Sequence, residues 1–380
     1  MQSKHTWTKT ILKVMGDEKR QAVTIPLAAI LLSLIFGAVV IGVLGGVNPL
    51  EAYINLLKGC GLLPKESYAG YKSILTDFAS FLNAWTPMLL AALAVAVAMK
   101  AGLFNIGVSG QMLVGGFIAS ITVGYSSLPA PVAMPLVVAV GFLMGALTGG
   151  FIGWLKYRFN INEVVSSIMI NYIAQYVIAF FINTFFVNPV TRQSQAVGKN
   201  ARLTFMDTLV GNLKIDIPLG IILAIACVFI LRFLLDRTCF GFEVKAVGAS
   251  RSAARYAGID VGKNMVMSMA ISGALAGLAG VTYYLGYYGS IQPRVLPSTG
   301  FDSIAVALLA NNNPVGIIFS SFLITVLSKG STYMSSASGV ESEIAAVITG
   351  IILLFSACGV YMRYLIKKMK DRISEEGRNA

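Results

Sequence analysis

Eight long stretches free of Asp, Glu, Lys and Arg constrain this 380-residue chain more than any other feature. They are Gln21–Leu50, Phe78–Met99, Ala101–Leu155, Val164–Thr191, Ile217–Leu231, Asn264–Pro293, Ser303–Ser328 and Ile344–Met362. Crossing the hydrocarbon of a bilayer takes about 20 apolar residues, and most of these stretches are long enough. The stretch Ala101–Leu155 must hold two helices. Its natural turn is Ser126–Pro131, where two prolines break helices and serines favour a loop. The chain therefore has at least nine apolar segments. Charged residues make up 12% of it and hydrophobic ones 56%, against about 25% charged in a typical soluble domain. So few charges cannot cover so much apolar surface, and disorder needs low hydrophobicity. The expected class is an all-α polytopic membrane protein. Its first apolar run is 30 residues long against about 7–15 for a signal-peptide core, so it is expected to remain as a span.

Orientation follows the Lys and Arg bias. Lys4, Lys9, Lys13, Lys19 and Arg20 precede the first span, and Arg363, Lys367, Lys368, Lys370, Arg372 and Arg378 follow the last. Both ends are expected to be cytoplasmic, giving a segment 1–20, a single transmembrane domain 21–362 and a tail 363–380. An even number of crossings is then required. Within Ser303–Ser328 the string Asn311-Asn312-Asn313-Pro314 cannot continue a helix in lipid. The sequence predicts a descending helix near Thr299–Ala310, a turn, and an ascending helix near Val315–Lys329, which makes ten spans. A re-entrant hairpin at the same place is the other reading. Sorted this way, 20 of the 29 Lys and Arg lie on the cytoplasmic side, which is +11 while the outer side is +1. The net charge of +12 is thus a topological signal, and no nucleic-acid partner is needed to explain it.

Several kinds of chemistry find no residues. His5 is the only histidine, and Cys60, Cys227, Cys239 and Cys358 form no CxxC pair. Neither a metal site nor a disulfide framework is suggested. No GxxxxGK[ST] occurs; Gly258–Asn264 has the wrong spacing and ends in Asn, so the chain should not bind ATP by a P-loop. No charged pair sits at mid-span, which argues against an ion-coupled carrier, the rival transporter class.

Four segments carry information. In Asp236–Lys263 a turn at Gly248-Ala249-Ser250 places Ser250 as N-cap of a short helix, Ser252–Ala257, stopped by Gly258. It would show Arg251, Arg255 and Tyr256 to a cytoplasmic partner or, equally, to anionic lipid headgroups. In Lys100–Gln111 a glycine-dense polar patch joins two apolar helices with almost no loop. Asn105 and Gln111 there are candidates for lining a solute path, or else for helix–helix hydrogen bonding. In Asn162–Tyr176, Asn171 and Gln175 share one helical face with Ser167 a turn earlier, and such a polar stripe faces other helices or a pore. Gly273, Gly277 and Gly280 form a packing surface of small residues. The tyrosines 283, 284, 287 and 288 that follow are expected to form an interfacial belt, with an outer vestibule as the other reading.

Five strings, in order, carry a resemblance. They are GLFNIGVSGQMLVGGFIAS (102–120), NEVVSSIMINYIAQY (162–176), GFEVKAVGASRSAARYAGI (241–259), SGALAGLAG (272–280) and FDSIAVALLANNNPVGIIFSSFL (301–323). From about Trp85 to Met362 the chain resembles the permease subunits of bacterial ABC importers, in the family serving branched-chain amino acids, simple sugars and nucleosides. It is most like the nucleoside branch. The resemblance implies the ten-helix fold of vitamin B12-type importer permeases in a bacterial plasma or inner membrane. It implies two permease subunits, often paralogues, and an extracellular or periplasmic solute-binding protein, commonly a lipoprotein. It also implies two cytoplasmic ATPases that hold the ATP and Mg, with no cofactor on this chain. Segment 236–263 would be the coupling segment, with Ser250, Arg251, Ala254, Arg255 and Tyr256 docking on an ATPase. A Gly-Asn-Asn-Pro turn is expected from the family where this chain has Asn311-Asn312-Asn313-Pro314, adding a side chain at a tight turn.

Overall fold

The fold comes from a computed structural model, which describes residues 18–44, 46–66, 68, 70–210, 213–339, 341, 343–357 and 368. The expected N-terminal segment up to residue 17, Cys358 and the basic tail apart from Lys368 lie outside the described residues. Cα packing divides the chain into two compact units, one of residues 57–330 and one of the residues before and after it.

The larger unit is built around two helices that are buried all round. The first of them, helix α3 (Ile74–Lys100), follows α1 (Glu18–Leu44) and α2 (Pro49–Gly59). It starts at a capping box in which Ser73 and Thr76 exchange side-chain and backbone hydrogen bonds, satisfying donors that a helix start leaves open. From Trp85 to Ala98 every residue of α3 is buried, as expected for a helix apolar on all sides. Helix α4 (Val108–Ala119) follows after the broken stretch, then α5 (Ala130–Phe159) after the Ser126–Pro131 turn, and α6 (Glu163–Phe181). The two helices expected in Ala101–Leu155 are therefore α4 and α5. Asn162 caps α6 by accepting from the Val164 amide, and Glu163 pairs with Lys156 at 3.1 Å.

Between α6 and the next span the chain is not all helix. Strands β1 (Thr204–Val210) and β2 (Leu213–Pro218) form an antiparallel hairpin, pairing Thr204 with Pro218 and Val210 with Leu213, with an irregularity between Phe205 and Thr208. The hairpin adds two short strands to a chain that is otherwise helical, as an all-α membrane protein is. Its anchoring is tertiary, since the Thr204 hydroxyl donates to Asn83 Oδ1 of α3 at 2.8 Å.

Helices α7 (Gly220–Arg237), α8 (Cys239–Ala249), α9 (Arg251–Tyr256) and α10 (Val261–Val281) continue the unit. Asp260 caps α10 by accepting from the Lys263 amide. The α5–α10 contact is made by glycines. A Cβ on Gly277 would stand 2.0 Å from the Gly141 carbonyl oxygen, and one on Gly273 would meet the Gly145 carbonyl. Two of the three glycines of the predicted small-residue surface make this contact, where bare backbones approach as membrane helices do through small residues, and the third, Gly280, lies against the Met112 backbone of α4. Helix α11 (Ser298–Leu309) and helix α12 (Pro314–Ser338) lie where the sequence places a helix, a turn and a second helix, a form common to the two-span and the re-entrant readings, and α12 runs nine residues past Lys329. At the turn Asn311 and Asn312 have φ of 52° and 54°. Asn tolerates this left-handed region better than most residues, so it replaces the glycine expected there.

In the smaller unit α1 packs on α13 (Glu343–Ala357). Gly37 lies beneath Tyr53 and Ile348, the Tyr53 hydroxyl donates to the Leu34 carbonyl at 2.7 Å, and Asn55 donates to Ser338 Oγ at 2.7 Å.

Among the described residues five helices are long and apolar enough to cross a membrane: Ile74–Lys100, Ala130–Phe159, Glu163–Phe186, Val261–Tyr288 and Pro314–Ser338. Shorter apolar helices are Ile30–Val43, Val108–Gly124 and Ser298–Leu309. The chain is a multi-pass, mostly helical membrane protein.

Candidate functional site

Three of the four predicted path residues lie in one buried polar knot. The chain leaves α3 at Lys100, turns through Gly102 at φ 68°, and starts α4 at Val108. Asn105 and Gln111 have no exposed surface. The Asn105 amide donates to Gln111 Oε1 and to Ser272 Oγ, both at 2.9 Å, and its Oδ1 accepts from the Gly107 amide at 3.0 Å. The Ser272 hydroxyl donates in turn to the Ala94 carbonyl at 2.6 Å, which ties α10 to α3. Asn171 of α6 accepts from the Gly110 amide at 2.8 Å and donates to the Ile106 carbonyl at 3.0 Å. A broken helix leaves backbone groups that cost several kcal/mol if unpaired in lipid, and these amides supply the partners.

Gln175, one turn beyond Asn171, is not in the knot. It is partly exposed and donates to the Arg294 carbonyl at 2.6 Å. That bond reaches a second feature, the loop 289–297. The loop is held at several points: Val197 donates to the Gly289 carbonyl and Ser194 to the Ile291 carbonyl, each at 2.9 Å, and the Ser109 hydroxyl to the Pro297 carbonyl at 3.0 Å. Gly289 takes φ 80° and lies against the Arg202 guanidinium. Arg202 donates to the Tyr288 carbonyl at 3.3 Å. Burial lowers its pKa and Asp216 opposes that shift, but an arginine stays charged at any physiological pH.

Three helices finish in π-helical turns near this loop: Ser120–Gly124 after α4, Ile182–Phe186 after α6 and Thr282–Tyr288 after α10. Their five-residue bonds include Tyr125 to Ser120 at 2.9 Å and Gly289 to Tyr284 at 2.8 Å. Each turn sends residues into a common buried cluster, Val123 from the first, Ile182 from the second, and Tyr284 and Leu285 from the third. Such turns are rare and are often found at functional sites. Beside them opens a cleft of about 280 Å³, lined by Gln193, Tyr283, Tyr284, Tyr288, Ser290, Gln292 and residues 295–298. The Ser290 hydroxyl donates to Gln193 Oε1 at 2.6 Å. The four tyrosines touch in sequence, with ring centres 4.9 Å apart for 283–284, 4.8 Å for 283–288 and 4.7 Å for 287–288. Lys329 of α12 donates to the Tyr287 hydroxyl at 2.7 Å and lies over its ring. Sequence reasoning found the tyrosines but missed Gln193, Ser290 and Gln292, which reach the cleft from a separate loop and from beyond the span.

The predicted coupling residues lie at the opposite end of α3 and α10. Ser250 caps α9, its hydroxyl accepting from the Ala253 amide at 3.3 Å, and Gly258 stops it at φ 80°. Ala254 is buried against α8, α10 and the end of α3, in a cluster with Val244, Val247, Ala98 and Met265. Arg251 donates to the Gly102 carbonyl at 3.2 Å, while Arg255 is exposed and Tyr256 is 95% exposed. The platform beneath is close-packed: a Cβ on Gly248 would meet the Lys100 carbonyl at 2.2 Å. Helix α8 is an element the sequence reading did not anticipate. Its cap, Thr238 accepting from the Gly241 amide, and the spacing of Phe240, Val244 and Val247 were available signals.

Among the described residues no group of three His, Cys, Asp or Glu is placed to hold a metal ion.

The chain is 35% identical over 364 residues to the nucleoside ABC transporter permease protein NupB of Lactococcus lactis subsp. cremoris, covering 93% of this chain and 96% of that protein. It is 36% identical over 355 residues to the guanosine ABC transporter permease protein NupP of Bacillus subtilis, covering 92% and 97%. It is 28% identical over 359 residues to the glucose ABC transporter permease protein TsgB13 of Haloferax volcanii, covering 91% and 90%. No solved structure matches the chain. The family model described as branched-chain amino acid transport system / permease component matches residues 78–357, and the chain belongs to that family.

Proposed function

We propose that this chain is the membrane-spanning permease subunit of an ATP-driven nucleoside importer in a bacterial plasma or inner membrane. The observation that carries the reading is similarity along more than nine-tenths of the chain to two permeases named for nucleosides and for guanosine. In this reading the chain has ten spans of the vitamin B12-type permease arrangement and both ends are cytoplasmic. It hydrolyses no ATP itself. A binding protein delivers solute to the end that carries the β hairpin and the loop 289–297. A second, paralogous permease completes the pathway, and ATPase subunits dock on α9 through Arg251, Arg255 and Tyr256. Asn105, Gln111, Asn171 and Gln175 border the solute route through the backbone segments they hold. Supporting this, Tyr256 is almost wholly exposed on a helix whose Ala254 is fixed in a close-packed platform, as a docking surface requires.

The test is uptake by proteoliposomes holding the chain with its second permease, ATPase and binding protein. Labelled uridine should accumulate with ATP, and ribose and leucine should not. Preferential uptake of ribose or leucine would replace the solute. Uptake that follows a sodium or proton gradient without ATP would defeat the reading.

A further inference from the structure

Resting on the nucleoside reading, we infer that the cleft beside the third π-turn is a solute-binding site that receives the planar base. Tyr283, Tyr284 and Tyr288 form its aromatic wall, and Gln193, Ser290 and Gln292 supply its hydrogen bonds. At about 280 Å³ the cleft is just below the size of drug-sized sites, about 300–1,000 Å³, and suits one small solute.

Its lining narrows the chemistry. None of the lining residues is charged. A zwitterionic amino acid would bring a carboxylate and an ammonium with no ion in the lining to pair with either, and Arg202 and Lys329 nearby are engaged by the Tyr288 carbonyl and the Tyr287 hydroxyl; burying unpaired charge is costly. The solute is therefore neutral. The rings of Tyr283 and Tyr288 are inclined at 48° and make a wedge with an apolar face, which favours a flat π-system. Every base has a π-face that stacks on such rings. Facing the rings, Gln193 has its carbonyl oxygen occupied by the Ser290 hydroxyl. Its Nε2 remains as a donor that no described residue engages, and Gln292 is exposed at the rim. Side-chain amides read the edges of bases by paired donor and acceptor groups. A bare sugar would use the amides and leave the wedge of rings largely unused.

The site is also preformed. The loop that carries Ser290 and Gln292 is tied down by Val197, Ser194, Ser109 and Gln175. Little ordering entropy is lost when a solute enters a site so fixed.

The experiment uses the assembled transporter in lipid nanodiscs and proteoliposomes. Half-saturation by labelled uridine is measured for the wild type and for Tyr288→Leu, Gln193→Leu and Tyr288→Phe, with uracil, ribose and leucine as competitors. Tyr288 is 57% exposed, so its replacement should not unfold the protein, and an unchanged unfolding midpoint in detergent checks this. The two leucine variants are expected to raise half-saturation about tenfold, Tyr288→Phe to stay within about threefold, and uracil to compete where ribose does not. If wild type takes up uridine and both leucine variants match it, the cleft assignment is overturned while the nucleoside reading stands. If ribose competes as well as uracil and the variants weaken ribose uptake, the base assignment is overturned. If wild type takes up no nucleoside, the functional reading itself has failed, and binding of labelled uracil to the nanodiscs decides the cleft alone: weaker binding by both leucine variants than by wild type keeps the assignment, and equal binding overturns it.

Discussion

Asn105 is wholly buried, yet it bonds Gln111, Ser272 and the Gly107 amide. Asn105→Leu keeps roughly the volume and removes all three contacts, leaving buried groups orphaned at about 1–3 kcal/mol each. We expect a lower unfolding midpoint in detergent, with half-saturation of the surviving transporter moved less than about threefold. A large change in half-saturation with intact stability would instead put Asn105 in contact with solute. The same scale explains why two glycines with similar helical surroundings differ. Gly277→Ala drives a methyl into the Gly141 carbonyl, whereas a Cβ on Gly350 meets nothing within 4 Å. Overpacking costs about 1–3 kcal/mol and Ala favours a helix over Gly by about 1 kcal/mol. Gly277→Ala should reduce folded yield in membranes, and Gly350→Ala should leave it unchanged or raise it.

Elements bounded by local chemistry were legible in the sequence, and elements bounded by tertiary contact were not. Helix α9 was visible because Ser250 can cap it and Gly258 can end it, and both do. The turn before Pro314 was visible because three Asn and a Pro cannot lie in lipid. The hairpin Thr204–Pro218 was hidden, since its charged residues suit a loop and its anchor, Asn83, lies more than a hundred residues away. The π-turns were hidden because one extra residue in a turn barely disturbs an apolar pattern. Half of the cleft was legible, as the tyrosine run, and the other half was not, as Gln193 stands 90 residues before Tyr283. The cap on α9 gives an element-scale prediction. Ser250→Ala should cost about 1 kcal/mol, speeding amide hydrogen exchange over 253–257 while exchange in α10 is unchanged.

At the scale of the larger unit, α10 with its π-turn spans 28 residues, about 42 Å at 1.5 Å per residue. One end of it carries the tyrosine cleft and the other abuts the α8–α9 platform. Helices α3 and α10 are both buried almost all round and are pinned together through Ser272, so a rigid core joins the two ends. Changes at one end should therefore be separable in kind from changes at the other. In complete transporter complexes, Arg255→Glu reverses a charge on the exposed face of α9 without touching the buried Ala254. It should abolish stimulation of ATP hydrolysis by solute-loaded binding protein and reduce uptake at least tenfold, while uridine binding to the complex stays at wild-type strength. Tyr288→Leu should do the converse, weakening uridine binding while basal hydrolysis and assembly with the ATPase remain normal. Both readouts are taken on the same proteoliposomes. Solute-stimulated hydrolysis and uptake that survive Arg255→Glu would remove α9 from the coupling surface and leave the platform a purely structural part of the fold.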